Sequence, residues 1–124
     1  LCSSMGTTKT SQPFGDILHW KLNTEVFLLS SALSSIIIAK PCGLNNGIGS
    51  DSTFVVGHHD KLFQDSSYHM VPRIDIANVM AESVMMPHDA KNSNALRFDL
   101  CSIPGPSTNN LKGLIESSRW EWDK

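Results

Sequence analysis

The sequence has no strong excess of charge of either sign and no long hydrophobic run, and each absence excludes a class of protein. Its 10 Lys and Arg residues nearly balance its 12 Asp and Glu residues, so the net charge is −2. This balance does not favour nucleic-acid binding or a polybasic membrane-binding surface. No apolar run is longer than that of residues 36–39, whereas a membrane span needs roughly 18 residues. We therefore expect neither a nucleic-acid partner nor a membrane span.

Cysteine and tyrosine are also scarce. The three cysteines, Cys2, Cys42 and Cys101, are odd in number and widely spaced, and the chain has a single tyrosine. A disulfide-rich secreted scaffold has more cysteines at closer spacing. The sequence thus predicts three reduced thiols in an intracellular protein, each acting as a small buried hydrophobe.

The first half of the chain predicts a loop, a helix and a buried strand. Residues 9–15 are dense in turn formers, and Asp16 can cap the helix that follows. Apolar residues at spacings of three and four predict about four helical turns with one buried face, and they are Leu18, Leu22, Val26, Leu29 and Leu33. Residues 35–39 are mostly β-branched and apolar, as in a parallel strand covered on both faces.

The second half continues the alternation of strands and helices. Residues 53–57 and 95–101 are expected strands, and Asp75 is the expected N-cap of a helix that Pro87 ends. The inward face of that helix would carry Ile76, Val79, Met80, Ser83 and Val84. A last helix follows, with these candidate caps and apolar residues: Ser107, Thr108, Leu111, Leu114 and Ile115.

This order of elements is typical of an α/β protein with a parallel sheet and flanking helices. No repeat or low-complexity segment divides residues 1–124, so we expect a single unit. Residues 1–4 have the composition of the end of a strand, and few strands follow to enclose the central ones of a doubly wound sheet. The sequence therefore predicts the C-terminal half of a larger domain.

Six short motifs have the order and spacing of those in one known family. They are Ser3-Ser4-Met5-Gly6-Thr7, Trp20-Lys21-x-x-x-Glu25, Lys40-Pro41-x-Gly43-Leu44, Val55-Val56-Gly57 with Asp60-Lys61-Leu62, Val71-Pro72-Arg73-x-Asp75-Ile76-Ala77, and Phe98-Asp99-Leu100. Together they resemble the second half of atypical short-chain dehydrogenase/reductases, specifically NmrA-like NAD(P)-binding proteins, over essentially the whole chain. The resemblance implies a Rossmann-type fold that binds NADP or NAD, in the cytoplasm or a plastid. It also implies that the Gly-rich phosphate loop lies outside this sequence, so that the chain alone binds NADPH weakly.

The resemblance assigns part of the candidate site to two segments. Ser3 and Ser4 would follow a strand at the carboxyl edge of the sheet, where ligands bind in open α/β folds. Both hydroxyls would contact the cofactor and Ser4 would also assist catalysis, although each could equally be a turn serine bonded to its own backbone. Pro41, Gly43 and Leu44 would form the turn beside the nicotinamide ring, where glycine permits a close approach.

Lys21 is the candidate catalytic and cofactor-binding cation. In the family this ammonium contacts the nicotinamide ribose hydroxyls and lowers the pKa of a catalytic tyrosine. An exposed Lys21–Glu25 pair on one helix face is the alternative interpretation. The tyrosine is expected four residues before the lysine, where this chain has Ile17, which has no ionisable proton. The tyrosine that is present, Tyr68, falls in a predicted loop, so dehydrogenase chemistry is in doubt.

Several functions therefore remain open. The first is an NAD(P)-binding, oxidoreductase-like domain acting on a small-molecule substrate, since the cofactor itself carries the hydride chemistry. The second is a non-catalytic NADP(H) sensor or scaffold that acts through a protein partner, and the third is an inactive truncated fragment. His58, His59 and Asp60 suggest a metal site, but neighbouring strand residues point to opposite faces, and no metal is predicted.

Overall fold

The structure is a computed structural model that describes residues 1–8, 16–86 and 95–119. Its elements in chain order are α1 (Asp16–Leu29), β1 (Ile36–Pro41), β2 (Leu44–Asn45), β3 (Ser52–Gly57), a 3₁₀ turn (Lys61–Gln64), β4 (Val71–Pro72), α2 (Arg73–Met85), β5 (Ala95–Pro104) and α3 (Leu111–Ser117). Strands β1, β5 and β3 form one sheet in that spatial order, and β2 pairs with β4. The described residues therefore form an α/β protein, as the sequence predicts, with a small mixed sheet and three helices.

The three-stranded sheet is mixed rather than parallel. β1 and β5 run parallel, with Ile36 opposite Ala95 and Pro41 opposite Leu100, whereas β3 runs antiparallel to β5. No helix lies between β1 and β3, and a parallel return needs a crossover of about a dozen residues or more, usually helical. The prediction of a parallel sheet is thus right for β1 and β5 and wrong for β3.

Residues 1–5, which we call the edge segment, run alongside β1 on the side away from β5. Cys2 pairs in parallel with Ala39. In the backbone, Ala39 N donates to Leu1 O at 3.0 Å, and Ser3 N donates to Ala39 O at 2.8 Å. Residues 1–4 thus make one isolated parallel bridge and no strand of their own, so the prediction of a strand end is right in position and direction only, with the edge segment lying beside β1.

The core is built from buried apolar side chains of the sheet and of helices α2 and α3. The main cluster consists of Ala39, Phe54, Val71, Ile76, Val79, Met86, Phe98, Leu100 and Ile115. Removal of this apolar surface from water is the main term that stabilises such a fold. Ile76 and Val79 confirm the predicted inward face of α2, but Val84 is 64% exposed, so the prediction is wrong for that residue.

Helix α1 buries a different face from the one that its apolar spacing predicts. Leu18 is buried as expected, but Val26 and Leu29 are exposed. Leu33, which is also exposed, lies beyond the end of α1 at Leu29, so the predicted helix is too long at this end. Glu25 is buried instead, and its carboxylate lies 2.7 Å from the guanidinium of Arg97 on β5. A buried carboxylate must keep its partner, so this ion pair decides how the helix is rotated about its axis.

Helices α2 and α3 begin at residues other than the predicted caps. Asp75 lies in the first turn of α2, after Pro72, and its carboxylate accepts a hydrogen bond from Ser50 N at 3.1 Å. Asn110 caps α3, because its side chain accepts from Gly113 N at 2.9 Å. The predicted caps are therefore wrong by a few residues at each start.

No helix within the three described ranges is both long and apolar enough to cross a membrane. This finding agrees with the expectation of no membrane span. Two other predictions, the loop at residues 9–15 and the helix stop at Pro87, fall outside the described residues.

Cys42 and Cys101 form a disulfide, which corrects the prediction of three reduced thiols. Cys101 lies in β5 and Cys42 follows β1, and the pairing of these strands brings the two Cα atoms to 5.2 Å, within the usual range for a disulfide. Sequence spacing does not reveal such a pair, because the strand register creates the contact. Cys2 is a free thiol.

Candidate functional site

The carboxyl ends of the edge segment and of β1 meet at one edge of the sheet, because parallel strands end on the same side. Met5 N donates to Pro41 O at 3.1 Å, which ties the two ends together. Ser3 is buried and Ser4 is half-buried at this edge. The structure thus brings Ser3, Ser4 and Pro41 into one region.

Helix α1 places Lys21 beside the edge segment. The half-buried side chain donates from Nζ to Ser3 O at 3.2 Å. An ammonium group has three N–H donors, and no ion pair joins Lys21 to a carboxylate in the described part of the chain. Lys21 therefore has N–H donors that no described residue occupies, and its ammonium group is not paired with a described carboxylate. Both are available to a ligand.

Glu25 faces the interior and forms no ion pair with Lys21, so the alternative of an exposed pair on the helix surface is wrong. Its Oε1 accepts hydrogen bonds from the hydroxyls of Ser3 and Thr7. Arg97 donates to Oε2 from Nε at 2.9 Å and from Nη2 at 2.7 Å. Both donors meet the same carboxylate oxygen, and hydrogen bonds between charged groups are stronger than those between neutral ones. This network fastens α1 to the edge segment and to β5, and it thereby sets the position of Lys21.

The two serines differ in what their hydroxyls can contact. The Ser3 hydroxyl donates to Glu25 and is committed to the interior. The Ser4 hydroxyl makes no hydrogen bond with any residue of the described ranges. Of the two predicted hydroxyl donors, Ser4 is therefore the one whose hydroxyl is not bonded to a described residue, but Ser4 does not line the cavity beside Lys21.

A cavity of about 340 Å³ opens between the edge segment and α1, and it is lined by Leu1, Cys2, Ser3, Ile17, Trp20, Lys21 and Thr24. Ile17 and Trp20 are 66% and 65% exposed, so apolar surface forms much of its wall. Small-molecule sites are typically apolar clefts of a few hundred Å³ with a few polar groups. Among the described lining residues, Lys21 has the one charged side chain.

The turn at residues 41–44 is held by β4 rather than by α1. Gly43 O accepts from Val71 N at 2.9 Å, and Leu44 lies opposite Val71 in the small sheet. A Cβ on Gly43 would lie 3.2 Å from Met70 Cγ, so the Met70 side chain fills the space beside the glycine. Pro41, Gly43 and Leu44 lie at the same sheet edge as the edge segment, but none of the three is among the residues that line the cavity.

A second group of charged side chains, which sequence reasoning missed, is buried where Lys40 of β1 and Asp99 of β5 meet Asp60, which follows β3. Lys40 Nζ lies 2.8 Å from Asp60 Oδ1 and 3.5 Å from Asp99 Oδ1, and each side chain is at most 1% exposed. Asp60 N donates to Asp99 Oδ2 at 2.7 Å, and Thr8 N donates to Asp60 Oδ2 at 2.9 Å. One sequence signal could have revealed this cluster: Lys40 is a charged residue inside an otherwise apolar strand, and charged residues are seldom buried unless they are paired.

The pKa values of the two carboxyl groups in this cluster are shifted in opposite directions. Burial alone would raise the pKa of Asp60, but hydrogen bonds from Lys40 and Thr8 outweigh it and lower the pKa to about 2. Burial raises the pKa of Asp99, and the nearby charge of Lys40 does not cancel that effect. Asp99 Oδ1 is buried without a hydrogen-bond partner among the described residues, which agrees with the raised pKa.

The lowered pKa of Asp60 predicts an acid-sensitive part of the stability. Since the folded-state pKa is about 2 and the ordinary value is 3.8, the stabilisation is complete above the ordinary value and is lost as the pH falls through the folded one. The linked free energy is roughly 2 kcal/mol, because one pKa unit corresponds to about 1.4 kcal/mol. Asp99 contributes with the opposite sign, gaining stability as the pH falls toward its ordinary value. Urea unfolding between about pH 5 and pH 2 measures the effect, and the prediction fails if Asp60→Asn shows the same decline.

Other residues noted in the sequence lie away from the cavity. Tyr68 packs against a small cluster that includes Met5 and Leu62, so it does not replace the tyrosine expected at position 17. Within the described ranges, no three His, Cys, Asp or Glu side chains converge as a metal site requires. The candidate site that the structure forms is therefore Lys21 with the backbone of Ser3 beside the cavity, and Ser4 is not among the residues that line it.

The sequence matches no model of a known protein family, and no curated protein matches it. The resemblance to NmrA-like proteins accordingly stays a prediction. Any functional proposal depends on the contacts of the described residues.

Proposed function

We propose that this chain is the nicotinamide-side part of an NAD(P)-binding, oxidoreductase-like domain, equivalent to the C-terminal half of a Rossmann-like fold. The observation that supports this most is the hydrogen bond from Lys21 Nζ to Ser3 O, beside the carboxyl edge of the sheet. An ammonium group with further donors at that edge suits the ribose hydroxyls of a nicotinamide nucleotide. NADP and NAD are both compatible with these contacts.

The arrangement of the strands supports the proposal in coarser terms. The edge segment, β1 and β5 lie side by side and run in the same direction. Their carboxyl ends therefore share one edge, which is where open α/β sheets bind ligands. The turn at residues 41–44 follows β1 at this edge and would lie along the nicotinamide.

Ile17 favours a second candidate, a non-catalytic NADP(H) sensor or scaffold that acts through a protein partner. It lines the cavity and is 66% exposed, where the resembled family has its tyrosine. Isoleucine cannot transfer a proton to a carbonyl oxygen. Oxidation of NADPH on addition of small carbonyl compounds would support an enzyme, and nucleotide binding without turnover would support the sensor.

Reduced nicotinamide mononucleotide (NMNH) is a sharp probe, because it occupies only the nicotinamide side of a dinucleotide site. We expect Lys21→Met to weaken NMNH binding about tenfold or more, since a hydrogen bond to a charged group contributes roughly 1.5–3 kcal/mol. Calorimetric titration gives the affinities. Lys112→Met, an exposed substitution on α3, is the matched control and should leave them unchanged. Equal binding by Lys21→Met, or no binding by the unaltered chain, would count against the proposed function.

A further inference from the structure

The cavity beside Lys21 has apolar walls that a ribose does not require. Leu1, Ile17 and Trp20 line it, and the Trp20 side chain is 65% exposed. A ring or short carbon chain lying on these side chains would remove apolar surface from water. The walls therefore favour a ligand with an apolar body.

Two hydroxyl groups of the cavity lining are already committed to the protein. Thr24 Oγ1 donates to Trp20 O at 2.8 Å, within α1. The Ser3 hydroxyl donates to the buried carboxylate of Glu25. The terminal ammonium of Leu1 donates to Ile37 O at 2.8 Å, so among the described side chains of the lining the charged donor left for a polar group on the ligand is Lys21.

The charge of Lys21 is not neutralised within the described part of the chain. Glu25 lies one helical turn further along α1, but its carboxylate is paired with Arg97. Among the described residues, Lys21 Nζ makes one hydrogen bond, to Ser3 O. A cation at the edge of an apolar cavity, with no counter-ion among the described residues, attracts an anion there by its charge.

We infer that this cavity binds a small organic carboxylate, whose anionic end contacts Lys21 Nζ and whose apolar body lies on Trp20 and Ile17. The cavity volume of about 340 Å³ is sufficient for a single aromatic ring with a short side chain. The role of such a molecule as the substrate rests on the proposed function. Its binding does not.

The first test compares trans-cinnamate with cinnamamide, a neutral molecule of the same shape. We expect the unaltered chain to bind cinnamate about tenfold more tightly or better, since a charge-assisted hydrogen bond is roughly twice as strong as a neutral one. Isothermal titration calorimetry measures both affinities and needs no variant. Inorganic phosphate, an anion without an apolar body, should not displace cinnamate at equal concentration.

Variants then test separately the residue that contacts the carboxylate, Lys21, and a residue that contacts the apolar body, Trp20. Lys21→Met should abolish the preference for cinnamate over cinnamamide, Lys21→Arg should keep it, and Lys112→Met should not change it. Trp20→Ser should weaken both compounds by about the same factor, because it removes apolar contact and leaves the charge in place.

Equal affinity of the unaltered chain for the two compounds, displacement by phosphate, or a preference that persists in Lys21→Met would overturn the inference. The two proposals fail separately. If NMNH binds and cinnamate does not, the proposed function stands and the carboxylate site falls. If cinnamate binds and NMNH does not, the carboxylate site stands and the dinucleotide proposal falls.

Discussion

Replacing Lys40 by methionine is expected to lower the free energy of unfolding by about 3–5 kcal/mol, the usual cost of removing one partner from a buried ionic group. Lys40 has no exposed side-chain surface, and it is the cation between Asp60 and Asp99. Methionine fills a similar volume but leaves two buried carboxylates facing each other. Urea unfolding near neutral pH measures the loss.

Two further variants make this prediction specific. Lys112→Met changes an exposed lysine in α3 to the same residue and should alter stability by no more than about 0.5 kcal/mol. Adding Asp99→Asn to Lys40→Met should restore part of the loss, because one buried charge then lacks a partner instead of two. A loss below about 1 kcal/mol, the value of an exposed pair, would mean that water reaches the cluster.

Reduction of the Cys42–Cys101 disulfide should lower the free energy of unfolding by about 4 kcal/mol, since the bond closes a long loop in the unfolded chain. The two cysteines are 59 residues apart in the sequence. The unfolded chain without this bond gains conformational entropy, and the folded state loses relative stability. Urea unfolding with and without a phosphine reductant measures the difference.

Cys2 provides the control for the effect of reduction. Cys2→Ser removes the free thiol and should leave both unfolding curves unchanged. Labelling the denatured protein with N-ethylmaleimide should modify one thiol before reduction and three afterwards. Three labelled thiols without reductant would show that the disulfide is absent. The free energy of unfolding would then be the same with and without the reductant.

Local sequence patterns predict the elements of this fold better than their arrangement. The apolar run of β1, the alternating pattern of β5 and the inward residues Ile76 and Val79 of α2 were predictable, because they are short-range patterns in the sequence. The antiparallel direction of β3 was not predictable, because it depends on the connection between β1 and β3, which contains no helix. The rotation of α1 was not either, because it is set by Glu25 and Arg97, which are 72 residues apart.

The candidate site shows the same division. Motif position suggested Lys21 and Ser3, and the structure places them in hydrogen-bond contact. The hydrogen bond from the Ser3 hydroxyl to Glu25 could not be predicted, because the sequence pattern of α1 places Glu25 on the exposed face of the helix. The Lys40 cluster required the register of β1 against β5, which places Lys40 opposite Asp99.

The most direct measurement is a ¹H–¹⁵N NMR titration of the chain with NMNH. We expect saturable shifts confined to the edge segment, the first half of α1 and the turn at residues 41–44, and we expect these shifts to be lost in Lys21→Met. Shifts that cluster on α3, that scatter over the surface, or that do not occur would contradict a nicotinamide site built around Lys21 and Ser3.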